Sequence, residues 1–120
     1  MSTVELFFYL PEDATDEERD RVRDYFHRKE QEISEAYVYG LRVVSSNEAR
    51  GGSDLQAILV LTKDTIEIVN GVGGIVLTFL MVYRQVRELF PDIKVTGKNS
   101  RGREKPIDTD EQAEELIKGP

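Results

Sequence analysis

The chain contains no cysteine and no tryptophan, a single histidine, two methionines and four prolines in 120 residues. Without cysteine there is no disulfide framework, no thiolate metal site and no thiol nucleophile, so a reducing cytoplasm is the expected setting. The one histidine, His27, falls on the polar side of its helix pattern, where an imidazole is far more often solvated than catalytic. With no second imidazole or thiolate, zinc would need unusual carboxylate ligation, so neither a metal nor a cofactor is expected. Ser45, Ser46 and Ser53 have no partner base in the sequence, and the chain is expected not to be an enzyme. Positive charge is also scarce. Sixteen Lys and Arg stand against 23 Asp and Glu, a formal net charge of −7, which argues against nucleic acid bound over a broad face. Long hydrophobic runs are missing as well: the uncharged stretch Ile68 to Tyr83 falls short of the roughly 20 residues a membrane helix needs. The opening "MSTVELFFYLPED" lacks a basic region and is not expected to be a signal peptide.

What is present reads as one domain, residues 1–120, of ordinary globular composition. "TVELFFYL" sets Val4, Leu6, Phe8 and Leu10 on one face and Phe7 and Tyr9 on the other, which predicts a central strand covered on both sides. Thr15 to Glu18, "TDEE", is a capping box opening a helix whose apolar stripe is Val22, Tyr25, Phe26 and Ile33. "AYVYGLRVVSS", residues 36 to 46, is a β-branched and aromatic strand, and "NEARGGSD" is a loop by composition. Ser53 to Gln56, "SDLQ", has the form of a second capping box. It predicts a long apolar helical segment with Leu55, Ile58, Leu59, Ile66 and Val69 at helical spacing, although "AILVL" alone also fits a buried strand. Residues 75 to 90 read as helix, with Arg84 and Arg87 near its C-terminal end and Pro91 as its stop. "IKVTG" is a strand, "KNSRGRE" a turn, and "KPID" a short strand that Pro106 confines to an edge. "TDEQ", Thr109 to Gln112, caps a final helix. The expected fold is α+β, ordered β-α-β-α-β-β-α. A small four-stranded, mostly antiparallel sheet would be packed by a long glycine-kinked apolar helix and two amphipathic helices.

Residues 70–85, "NGVGGIVLTFLMVYRQ", admit three readings. A dinucleotide loop needs G-x-G-x-x-G, and Val76 stands where the third glycine should be. A membrane span is too short. The reading that remains makes Gly71, Gly73 and Gly74 a kink or close packing point, and "IVLTFLMVY" a core spine buried nearly all round. The acidic clusters "PEDATDEERD" and "DTDEQAEE" sit at helix N-termini, where capping and the dipole account for them. "GKNSRGREK", residues 97 to 105, is the one basic island. As a hairpin turn it is a candidate electrostatic contact for an acidic partner or a nucleotide.

The order of elements resembles that of the bacterial effector-associated constant component, a small accessory domain of bacterial conflict systems. The resemblance is carried by "VELFFYL", the acidic helix "DEERDRVRDYF", "YGLRVV" and "RGGSD" before a long aliphatic segment. It continues through "VYRQVREL" and the acidic-capped "DTDEQAEELI", and so covers nearly the whole chain. It implies a non-catalytic adaptor that couples an effector, such as a trypsin-like or caspase-like peptidase, to a sensing module. On that reading the binding surface is expected at Lys98, Arg101 and Arg103 of the basic turn and at the edge strand near Ile107. Two alternatives stand beside it: a peripheral membrane protein using residues 71–83, with Arg84 and Arg87 on anionic headgroups, and a sensor of a small ligand or nucleotide. A homo-oligomer is also open.

Overall fold

The computed structural model describes residues 2–35, 40–63, 73–100 and 102–118. In chain order they form β1 (Ser2–Pro11), α1 (Asp16–Glu35), β2 (Leu41–Ser45), β3 (Ala49–Arg50), β4 (Ser53–Lys63), α2 (Gly73–Leu89), β5 (Lys94–Asn99), β6 (Lys105–Pro106) and α3 (Asp110–Lys118). The strands lie in the order β2-β4-β1-β5-β6, with β3 also paired to β4, and every pairing is antiparallel. The class is α+β. Strand β1 is central, as its two apolar faces require, and β6 is an edge of two residues ending in Pro106.

Residues 53 to 63 depart from the helix expected there. They form the eleven-residue strand β4, paired with β1 from Ser2↔Lys63 to Pro11↔Ser53. The cause lies just upstream. Gly51 and Gly52 have φ of +53° and +86°, the two positive values of a type I′ turn, and this turn joins β3 to β4 as a tight hairpin. Helical and strand patterns coincide on this segment because both of its faces are apolar. Leu55, Ala57, Leu59, Val60 and Leu61 are all buried. Between Ser45↔Ala57 and Ala49↔Asp54 the register changes by one residue, so β2 and β3 are one edge strand broken by a bulge. The sheet therefore has five strands in line rather than four, and Ile66 and Val69 of the expected helical segment lie outside the described residues. Helix α2 runs from Gly73, so Gly73 and Gly74 stand in its first turn, and the part of the expected kinked helix directly before them lies outside the described residues. A Cβ at Gly74 would meet open space, so no close packing occurs there, and Gly71 lies outside the described residues.

The three described helices cover one face of the sheet. Val22, Tyr25, Phe26 and Ile33 of α1, Phe79, Leu80, Val82, Tyr83 and Val86 of α2, and Ala113, Leu116 and Ile117 of α3 share one core with Val4, Leu6, Phe8 and Leu10 of β1. Phe26 anchors the contact, with its ring centroid 5.1 Å from Phe8 and 5.3 Å from Tyr25, and Tyr25 is in turn 5.6 Å from Phe90. Each such side chain contributes roughly 1.5–3 kcal/mol by leaving water. Arg19 closes the α1 side by pairing with Asp54 at 2.7 Å while capping the carbonyls of Pro11 and Glu12. Helix α3 lies directly on β5: a Cβ at Gly97 would come 2.5 Å from Leu116 Cδ2 and 3.0 Å from Ile107 Cγ1, so only glycine fits without displacement. The opposite face carries a smaller cluster of Phe7, Tyr9 and Leu55, with Ile58 against it.

Candidate interaction surface

Helix α2 positions the most exposed apolar side chains. Its buried residues occupy one stripe, and the expectation of burial nearly all round fails on the other side: Leu77 is 63% and Met81 47% exposed. At i and i+4 these two side chains are neighbours on the helix surface, and Gly74, three residues before Leu77, continues the same line with no Cβ. Leu89 is exposed on the flank. Further along, the line turns polar. Arg84 Nε lies 3.0 Å from Asp110 Oδ2 and its Nη2 lies 4.0 Å from Glu114 Oε1, tying α2 to α3. Arg87 turns inward: its Nη1 donates to the Tyr83 hydroxyl at 2.9 Å and to the Ile107 carbonyl at 3.3 Å, and its guanidinium stands 5.7 Å from the Tyr83 ring centroid.

These contacts decide the fate of the residues singled out from sequence. Ile107 is 1% exposed. Its N–H donates to Val95 O at 3.0 Å, and its carbonyl also accepts from the Tyr83 hydroxyl at 3.2 Å. It is a core and network residue, not part of an exposed surface, because the chain must turn inward after Pro106 to enter α3. Lys98 and Arg103 are exposed, while Arg101 lies outside the described residues. Lys98 sits on β5 opposite Glu5 of β1, on the face away from the helices, in one column with Thr96 and Lys94.

Beside that column a shallow cavity of about 170 Å³ is lined by Tyr9, Gly51, Ser53, Lys94, Thr96 and Glu104. Tyr9 donates to Glu104 Oε1 at 2.9 Å. Thr96 is 8% exposed, and its hydroxyl has no hydrogen-bond partner among the described residues. The volume is below the roughly 300 Å³ at which ordinary ligand pockets begin. Among the described residues no group of three or more His, Asp or Glu side chains is placed to hold a metal ion. No helix among them is long and apolar enough to cross a membrane.

Sequence reasoning missed Leu77 and Met81 as surface residues. The signal was there: Phe79, Leu80, Val82, Tyr83 and Val86 already complete a core stripe, so the remaining apolar positions of the same helix have to face outward. No family model, no curated protein and no solved structure matches the chain.

Proposed function

We propose that this protein is a non-catalytic interaction domain that holds a protein partner against the outward face of α2. The partner is an effector, such as a peptidase, that the domain couples to a sensing module in a bacterial defence system. The observation that supports the reading is the exposed pair Leu77 and Met81 on a helix whose opposite side is already packed. Two large side chains held in water on a rigid element cost free energy that only a covering surface recovers. Lys98 and Arg103, both exposed, offer a second and electrostatic contact in the β5–β6 hairpin. The peripheral membrane alternative is weaker, because Arg84 is held by Asp110 and Arg87 by Tyr83 and Ile107. Both cations already have partners within the domain, which a headgroup would have to displace. The test is capture from the native host by the tagged protein, with mass spectrometry of the eluate. The double variant Leu77→Gln, Met81→Gln should lose a stoichiometric effector that the wild type retains, while its melting temperature stays unchanged. Capture that survives the double variant removes α2 from the surface, and recovery only with anionic vesicles moves the protein to the membrane.

A further inference from the structure

The open edge of the sheet is a second surface, independent of the function proposed above. Among the described residues the sheet ends at β2 on one side and at β6 on the other. Strand β6 has two residues, and Pro106 has no N–H to give a neighbour, so that edge is closed. Strand β2 is five residues long, an ordinary length for a strand that pairs.

Hydrogen-bond parity fixes which of its backbone groups are free. Thr62 donates to the carbonyl of Gly40 at 2.6 Å and Ser46 donates to the carbonyl of Gln56 at 3.0 Å. Both belong to the register of Leu41↔Leu61. In an antiparallel ladder, bonded and non-bonded residues alternate, so Arg42 and Val44 also bond to β4. Leu41, Val43 and Ser45 therefore aim their N–H and C=O away from it. Beyond Ser45 the bulge breaks the edge, and before Leu41 stands Gly40.

We infer that β2 pairs antiparallel with β2 of a second copy of this chain, about a two-fold axis through Val43. In that register Val43 meets Val43, and Leu41 meets Ser45 in both directions, so every outward group on the strand finds a partner. The side chains agree. Arg42 and Val44 project from the face away from the helices, and the two-fold places Arg42 of one copy opposite Val44 of the other. The two Arg42 side chains are set diagonally and not directly opposite each other. Val44, an exposed large apolar residue on this strand, is then covered by the aliphatic stem of Arg42. A self-complementary register is what singles out a second copy over an unrelated strand.

The interface is small, so the association is weak, with a Kd on the order of tens of micromolar or higher. Each copy carries a net charge of −7, so screening of their repulsion should tighten the dimer as salt rises. Sedimentation equilibrium up to about 1 mM protein, with melting curves in parallel, tests the pairing. Ser45→Pro removes an outward N–H at an exposed side chain without touching a bond to β4, while Ser45→Ala keeps it. The expected result is a wild type and a Ser45→Ala variant that dimerise alike, and a Ser45→Pro variant weakened roughly tenfold or more. A wild type that stays monomeric throughout overturns the inference, as does a folded Ser45→Pro variant that dimerises normally or a dimer that loosens with salt. Should Ser45→Pro fail to fold, amide exchange in the wild type decides. Protection of Leu41, Val43 and Ser45 must rise with protein concentration, and concentration-independent exchange at those amides overturns the pairing.

Discussion

Two tyrosines show how single residues tie the helices to the rest of the protein, and they give the fold its pH dependence. The Tyr25 hydroxyl donates to Gln85 Oε1 at 2.9 Å, joining α1 to α2. Burial pushes its pKa well above the usual 10, the charge of Glu32 adds to the rise, and Arg28 opposes it. Tyr83 is raised too, first by burial; the hydrogen bond and charge of Arg87 pull it down, and Asp110 and Asp108 push it up. In both cases the folded state keeps a proton that the unfolded chain gives up near pH 10. The stability that these groups contribute is therefore fully present below about pH 10 and is lost as pH rises beyond it. Urea midpoints should be level on this account between about pH 7 and 9 and fall steeply above 10. Tyr25→Phe should flatten that fall, since phenylalanine has no proton to lose. A fall equally steep in the variant would remove Tyr25 as its source.

At the scale of elements, three segments of nearly the same form have two different fates. In "TDEE" the Thr15 hydroxyl accepts from Glu18 N–H at 3.1 Å. In "TDEQ" the box is reciprocal: Thr109 Oγ1 accepts from Gln112 N–H at 3.1 Å, and Gln112 Oε1 accepts from Thr109 N–H at 3.2 Å. Ser53 of "SDLQ" caps nothing, because it begins a strand. Thr15→Ala and Thr109→Ala should each cost about 1 kcal/mol, whereas Ser53→Ala should stay within about 0.5 kcal/mol, measured by urea unfolding. A loss at Ser53 equal to that at the threonines would contradict strand β4. The same comparison marks what the sequence makes legible. Helix α1, helix α3 and the β5–β6 hairpin are set by local capping and turn chemistry, and they stand where periodicity and caps put them. Strand β4 is not legible in this way, because Leu55, Ile58 and Leu59 satisfy a helical stripe as well as a two-sided strand. What decides is the glycine turn at 51–52 and the long register with β1, some fifty residues away. The candidate surface was legible only in part for a similar reason. Charge marked Lys98 and Arg103 as exposed, but the burial of Ile107 depends on where α3 docks, which no local pattern reports.

At the scale of the whole molecule, one strand carries both the core and the sheet. From Val4 to Tyr9, β1 is paired on one side with β4 and on the other with β5, and its alternate side chains enter the two apolar clusters on opposite faces. Strand β1 is the middle strand of the five in line, and side chains of all three described helices meet in the core that includes its Val4, Leu6, Phe8 and Leu10. Opening it requires breaking both ladders and exposing Val4, Leu6 and Phe8 at once, which amounts to unfolding the protein. The rim is different. Strand β6 has two residues, and the outward amides of Leu41, Val43 and Ser45 answer to no ladder among the described residues. Native-state hydrogen exchange in dilute solution should therefore rank the molecule by distance from β1. Amides of residues 4 to 9 should exchange only through global unfolding and track its denaturant dependence, while those of Leu41, Val43 and Ser45 should exchange through local fluctuations insensitive to denaturant. Were β1 to exchange through the same low-energy opening as β6, the sheet would not be organised about its central strand, and the rigid platform on which α2 presents Leu77 and Met81 would go with it.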